Sequence, residues 1–327
     1  MFYGGVGWGG RFSHMVISKD LLTELKKRTS PPAFASPLAG VTEELLSRYP
    51  GVEAVLFYGS CLEKGDPFEG LVDLYLLVRD YREAYKDHSL LVWANRLLPP
   101  NVFFFQTQIG GRTLRVKYAL MELAHFKKAT SPRWFHSYFW GRFCQPTAIL
   151  YASKEGREEL LEALAQAVLT FLKRTIPMAP PMGDLKDLWL KGLRLSYRAE
   201  LRPEPKRRLE ALWQNSREHF LAVTQAAAKA MPFAFEIEGP YYRALVPEKT
   251  RRREKWAWRL RLVQGKGLSV LRLMKASFTF QGGVDYALWK IERHRGLRLE
   301  VSPFFRRHPL LALLFLGWKV LRLGGVK

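Results

Sequence analysis

Two short apolar runs separated by one tight turn constrain this chain more than any other feature. Val52 to Tyr58 and Leu71 to Val78 are rich in Val, Leu and aromatic residues, and Gly59-Ser60 interrupts the chain directly after the first run. Runs of this kind, bounded by turn residues, predict buried β-strands. The second run carries one carboxylate, Asp73. Period-2 alternation places Asp73, Tyr75 and Leu77 on one face and Leu74, Leu76 and Val78 on the other. A carboxylate within an apolar strand is either a buried structural hydrogen-bonding group or a functional one.

The neighbouring segments extend this unit. Val41 to Tyr49, after a Pro-containing loop at Ser30 to Pro37, reads as a helix; Asn101 to Gln106 and Thr113 to Leu120 read as strands joined across Gly110-Gly111, a hairpin added to the same sheet. Ser153 predicts the N-cap of a helix to Arg174, with Glu158 and Glu159 early, Lys173 and Arg174 late, and apolar residues at helical spacing between them. The Pro-rich break from Pro177 to Gly183 then marks a boundary, beyond which helix-like stretches run to about Phe233. The expectation is an α+β protein in four parts. A leader and N-terminal helix occupy 1–37, and a mixed sheet with helices occupies 38–176. A smaller, mainly helical domain that closes the cleft spans 177–260, a winged helix being one form it could take, and a basic region with an amphipathic C-terminal helix spans 261–327.

The 52 Lys and Arg residues against 30 Asp and Glu give a net charge of +22, which calls for a phosphate-rich partner: nucleotide, nucleic acid or anionic lipid. Cys61 and Cys144 are the only cysteines and lack metal-ligand spacing, so neither a disulfide framework nor a structural zinc site is expected. Met1 to Met15 lacks the basic start and apolar core of a signal peptide. The longest apolar run, Pro309 to Trp318, is ten residues, about half the ~20 that a spanning helix needs. His88, His125, His136 and His219 form no ligand-spaced set.

The turn and the aspartate acquire a joint meaning from phosphate chemistry. A glycine lets backbone approach a triphosphate, the serine and adjacent N–H groups donate to its oxygens, and a strand-borne carboxylate holds Mg²⁺ against the phosphates. Hydrophobic-Gly-Ser followed about a dozen residues later by an aspartate between hydrophobics resembles the nucleotidyltransferase superfamily. That superfamily usually has a second acid two positions on, where this chain has Tyr75. Further segments are similar to the mitochondrial-type phosphatidate cytidylyltransferases, the translocator assembly and maintenance family, whose aspartate strand also lacks the second acid. The matching segments are Tyr58-Gly59-Ser60, Asp73, Lys117-Tyr118, Gly141-Arg142 through Gln145-Pro146, and Ser196-Tyr197 through Glu200 to Arg202, with a weaker echo at Ser277 to Tyr286. The chain departs from that pattern at Cys61, where glycine is usual, at Gln145, where lysine is usual, and at Glu200, where aspartate is usual.

The resemblance implies an Mg²⁺-dependent enzyme making CDP-diacylglycerol from CTP and phosphatidic acid. It assigns catalysis to Asp73, Lys117 and Arg142. Nucleotide binding falls to Tyr58, Gly59, Ser60, Lys117, Arg142, Gln145, Ser196 and Tyr197, and metal binding to Asp73 and Glu200. The partners expected are CTP, phosphatidic acid and an anionic membrane surface, with the protein peripheral on the inner face of the cell membrane. His308 to Leu323 reads either as an interfacial helix or as a helix packed on the protein itself or on a second copy. Two alternatives stand beside this: an RNA-directed nucleotidyltransferase using Lys249 to Arg261 with Trp256 and Trp258 as stacking platforms, and an inactive binding module.

Overall fold

The computed structural model describes residues 16–200, 206–279 and 283–295, with isolated positions beyond. Helices α1 (Lys19–Arg28) and α2 (Leu38–Arg48) precede β1 (Val52–Tyr58), and a short helix, α3 (Ser60–Lys64), leads to β2 (Val72–Val78). Helices α4 (Tyr81–Ala84) and α5 (Ser89–Leu97) connect to the hairpin of β3 (Asn101–Ile109) and β4 (Arg112–Glu122). Then come α6 (Leu123–Thr130), α7 (Trp140–Phe143), β5 (Thr147–Ala152) and the long α8 (Lys154–Thr175), whose N-cap Ser153 accepts from the Gly156 N–H.

These strands form a five-stranded sheet in the order β3-β4-β2-β1-β5. It is mixed: β2 and β4 run parallel, whereas the other neighbours are antiparallel. The pleat sorts side chains as the sequence alternation requires. Tyr75, Leu77, Ala119 and Met121 face one apolar core with α1, α6 and α8, while Leu74, Leu76, Val116 and Leu120 face a second core with α2. The fold is thus α+β with a mixed sheet, as expected.

Beyond the Pro-rich segment the chain is mainly helical, with α9 (Leu185–Arg198), α10 (Lys206–Asn215) and α11 (Arg217–Ala227). A second sheet is formed by β6 (Met182–Asp184), β7 (Ala234–Glu238) and β8 (Tyr241–Leu245), in the order β6-β8-β7. The chain thus runs from a strand through three helices to a hairpin that pairs back onto the first strand. Trp189, Phe220 and Trp213 from these helices join the same core as Phe171 of α8, with the Phe171 and Trp189 rings stacked at 4.6 Å. The 32-residue α12 (Glu248–Thr279) and then α13 (Gly283–Arg295) follow. The amphipathic helix expected at His308 to Leu323 lies almost wholly outside the described residues, and no described helix is long and apolar enough to cross a membrane.

Candidate active site

Three adjacent strands build the centre of the site. In the sheet register Tyr58 of β1 stands opposite Asp73 of β2, and Asp73 stands opposite Lys117 of β4. All three side chains line one cavity of ≈ 290 Å³. Asp73 Oδ1, a buried oxygen, forms a close ion pair with Lys117 Nζ. Burial disfavours the Lys117 ammonium, but the charges of Asp73 and Tyr58 outweigh it and hold the group above its ordinary value. Burial, then the Asp73 charge, raises the Tyr58 phenol.

The turn after β1 is fixed by that aspartate. Gly59 has φ +83°, and a Cβ there would lie 3.1 Å from Asp73 Oδ2, so both backbone conformation and space require glycine. Ser60 opens α3 beside it, and Glu63, one turn on, also lines the cavity. Cys61 points away: it is buried, its Sγ 3.2 Å from the Leu71 carbonyl, and burial followed by the Asp73 charge pushes its thiol up to about 12. The cysteine that replaces the usual glycine is therefore a packing residue.

A second set of groups comes from α7 and the end of α9. Arg142 donates to the Tyr138 hydroxyl at 3.0 Å and to Glu200 at 3.3 Å, and its guanidinium lies 4.3 Å from the Tyr138 ring centroid. Burial opposes its charge, yet Tyr138 and Glu200 keep it well above its ordinary value. Burial alone would raise the Tyr138 phenol, whereas Arg142 and Arg272 bring it below its ordinary value. Gln145 accepts from the Tyr197 hydroxyl at 3.2 Å and donates to the Gly141 carbonyl at 2.6 Å, so an amide ties α7 to α9 where a lysine was expected.

The structure gathers Tyr58, Gly59, Ser60, Asp73, Lys117, Arg142, Gln145, Tyr197 and Glu200 around this one cavity. Ser196 stands apart. It is buried, and a Cβ on Gly141 would fall 2.0 Å from its Oγ, so it is a close-packing contact between α7 and α9 and not a cavity-lining group. Tyr118 likewise lies on the opposite sheet face, its hydroxyl 2.9 Å from that of Tyr49. Sequence reasoning missed Glu63, Tyr138 and Arg208, which also line the cavity. The i, i+3 spacing of Glu63 from Ser60 was a usable signal. Arg208 was hidden in a basic run.

Tyr75 occupies the place of the second acid. Its ring is fully buried against Tyr58, Phe126 and Phe143 at centroid distances of 5.6, 6.4 and 4.9 Å. The cavity therefore has three carboxylates, Glu63, Asp73 and Glu200, against three cations, Lys117, Arg142 and Arg208. Among the described residues no group of three His, Cys, Asp or Glu side chains is gathered to hold a metal ion alone. Mg²⁺ needs fewer, because it keeps waters and takes one or two carboxylates together with substrate phosphates. Asp73, a strand-borne carboxylate lining the cavity, fits such a partial site, with its Oδ1 paired to Lys117 in the free protein.

The Lys249 to Arg261 tract is exposed at Lys249, Arg252, Arg253, Lys255 and Arg259, but not along its whole length. Trp258 is 1% exposed and donates to the Arg174 carbonyl at 2.9 Å, and Arg261 is fully buried against Glu254. Only Trp256 of the two tryptophans remains available to a stacking partner.

No protein-family model matches this chain, and no curated protein matches it. Among solved structures, a nucleotidyltransferase-like protein from Exiguobacterium sibiricum aligns at 14% identity over 93% of this chain and 96% of its own, with a TM-score of 0.20. So loose an overlay bears on neither fold nor function, and the chemistry of the cavity carries the functional argument.

Proposed function

We propose that this chain is an Mg²⁺-dependent nucleotidyltransferase that moves CMP from CTP to phosphatidic acid. The observation that carries the reading is the meeting of Gly59, Asp73 and Lys117 on three neighbouring strands at one cavity, with Arg142 opposite. The choice of CTP and phosphatidic acid comes from the family resemblance of these segments.

Each residue then has a physical task. The Gly59-Ser60 turn holds the β- and γ-phosphates by close backbone approach. Asp73, with Glu200 or Glu63, would hold Mg²⁺, which when bound neutralises phosphate charge. Lys117 is paired with Asp73 in the free protein, and a phosphate competes for its ammonium when nucleotide enters. Arg142, already fixed by Tyr138 and Glu200, stabilises the charge that develops during transfer. A phosphatidate oxygen bonds to the α-phosphorus while the α–β bridging P–O bond breaks, and pyrophosphate leaves with the bonding electron pair. The attacking phosphate monoester carries about 1.5 to 2 negative charges near neutral pH, so no general base is required. That accounts for Tyr75 in place of an acid.

The RNA-directed alternative loses one of its two stacking platforms, since Trp258 is a core residue. The deciding experiment supplies Mg²⁺ and CTP with phosphatidic acid in vesicles. CDP-diacylglycerol and pyrophosphate are the expected products, and equal or faster turnover of an RNA primer with ATP overturns the proposal.

A further inference from the structure

Helix α12 turns charged side chains inward beside its core residue Trp258. Its inward face carries Glu254, Arg261, Arg272 and Lys275, each buried or nearly so. Its outward face carries Trp256, Leu260, Val263, Val270, Leu271 and Met274, all exposed, with Trp256 at 64% and Val263 at 74%. At about 100° of turn per residue these six positions fall in an arc of roughly 100°, on the side away from Glu254, Arg261 and Arg272. Arg252, Arg253, Lys255, Arg259 and Lys266 are exposed along the same outward side.

A second set of exposed apolar residues lies on α5, which is tied to the inward side of α12. Lys275 donates to the carbonyls of Leu98 and Pro100 at 2.6 and 2.7 Å, and Arg272 donates to that of Pro99 at 3.2 Å. The end of α5 is thereby fastened beside the C-terminal half of α12. Helix α5 leaves Leu90, Trp93 and Leu97 exposed at i, i+3 and i+7 spacing. Contiguous exposed apolar surface with a polar rim marks an interaction site. Here the rim is cationic on a chain of net charge +22, which selects an anionic partner. A stripe of Trp, Leu and Val on one helical face, with basic residues beside it, is the pattern of a helix lying in a lipid interface.

We propose that the outward face of α12 is a docking surface for an anionic lipid bilayer. The inward face of the same helix reaches the candidate active site. Arg272 stacks on Tyr138 at 4.2 Å, and Tyr138 holds Arg142. The proposed docking face and the candidate site are thus linked through one helix. The proposal extends the lipid-directed reading above, but it is tested by binding without turnover, so the two fail separately.

Full-length protein is sedimented with phosphatidylcholine vesicles with and without 30 mol% anionic lipid, roughly the content needed for a strong surface potential. The wild-type protein is expected to bind the anionic vesicles at least tenfold more tightly, and to be released by high salt. The triple variant Trp256→Ser/Leu260→Ser/Val263→Ser should lose at least tenfold in binding while keeping its melting temperature, since none of the three is buried. Arg253→Glu/Arg259→Glu/Lys266→Glu should lose binding to anionic vesicles specifically. The proposal is overturned if the wild-type protein ignores anionic vesicles or if both variants bind them as the wild type does. It is equally overturned if the variants instead dissociate a dimer, seen by light scattering, or abolish tight RNA binding, since these reassign the face to a second copy or to nucleic acid.

Discussion

Asp73 is held between a glycine it forbids from changing and a lysine it neutralises, and its charge is the quantity to remove. Asp73→Asn is nearly isosteric, so the fold should persist, while the rate of CDP-diacylglycerol formation should fall at least ~100-fold, the scale of losing one main electrostatic group; near wild-type turnover would remove Asp73 from the site. Gly59→Ala should cost about 1–3 kcal/mol through its positive-φ, extended backbone alone and should also weaken CTP binding by pressing on Asp73 Oδ2. Gly110→Ala is the control, with φ +55° and nothing within 4 Å, so calorimetry should show destabilisation without loss of CTP affinity. Gly59 and Asp73 were legible in the sequence because a turn and a strand parity are local properties, whereas Lys117 was picked out by the family resemblance. The place of Ser196 was not legible, because a helix offers several faces and only the packing of α7 against α9 decides which one meets the cavity.

At the scale of elements, β1 to β4 and α8 were legible because alternation, caps and turn residues lie within each segment, whereas β5 and the β7–β8 hairpin were not read. The three-residue β6 was missed, since Met182 to Asp184 sits in a Pro-rich stretch and becomes a strand only by pairing with β8. The basic tract opening α12 misled for a related reason: a run of Arg and Lys gives no sign of which members turn inward. Arg261 does, and Glu254 bridges it at 3.2 Å to Arg174 at 2.6 Å in a fully packed environment. Glu254→Gln leaves two buried guanidinium groups without their countercharge and should cost about 3–5 kcal/mol, measured by urea denaturation. A loss under ~1 kcal/mol, the size of an exposed pair, would show that water reaches the cluster.

For the whole molecule, acid should be the weak side. His136 is buried beside Arg272 and Arg261 with Nε2 unpaired, and burial first, then those two charges, lowers its imidazole from 6.5 to about 3. Burial lowers His219 to about 4. Between pH 6.5 and about 4 the unfolded chain therefore binds more protons than the native one, so stability falls on acidification, by roughly 3 kcal/mol from each histidine at pH 4. His136→Asn retains an acceptor for the Tyr138 N–H and should flatten this limb in melts taken from pH 7 to pH 4; an unchanged slope would exclude His136 as its source. The sequence showed where the chain changes character, near the Pro-rich break, but not that the helices beyond it share a core with the sheet, because that sharing is made by contacts between distant segments. Ser18 illustrates the distance: its hydroxyl donates to the Ala226 carbonyl, 208 residues away, and α1 packs between α8 and α11. On a ribosome adding about 5–20 residues per second, the partner for that hydroxyl emerges roughly 10–40 s after Ser18 itself. Leu21 and Leu25, fully enclosed at the end, must wait out that interval with one wall of their pocket not yet made. Helix α1 is thus secured only once α11 has been made.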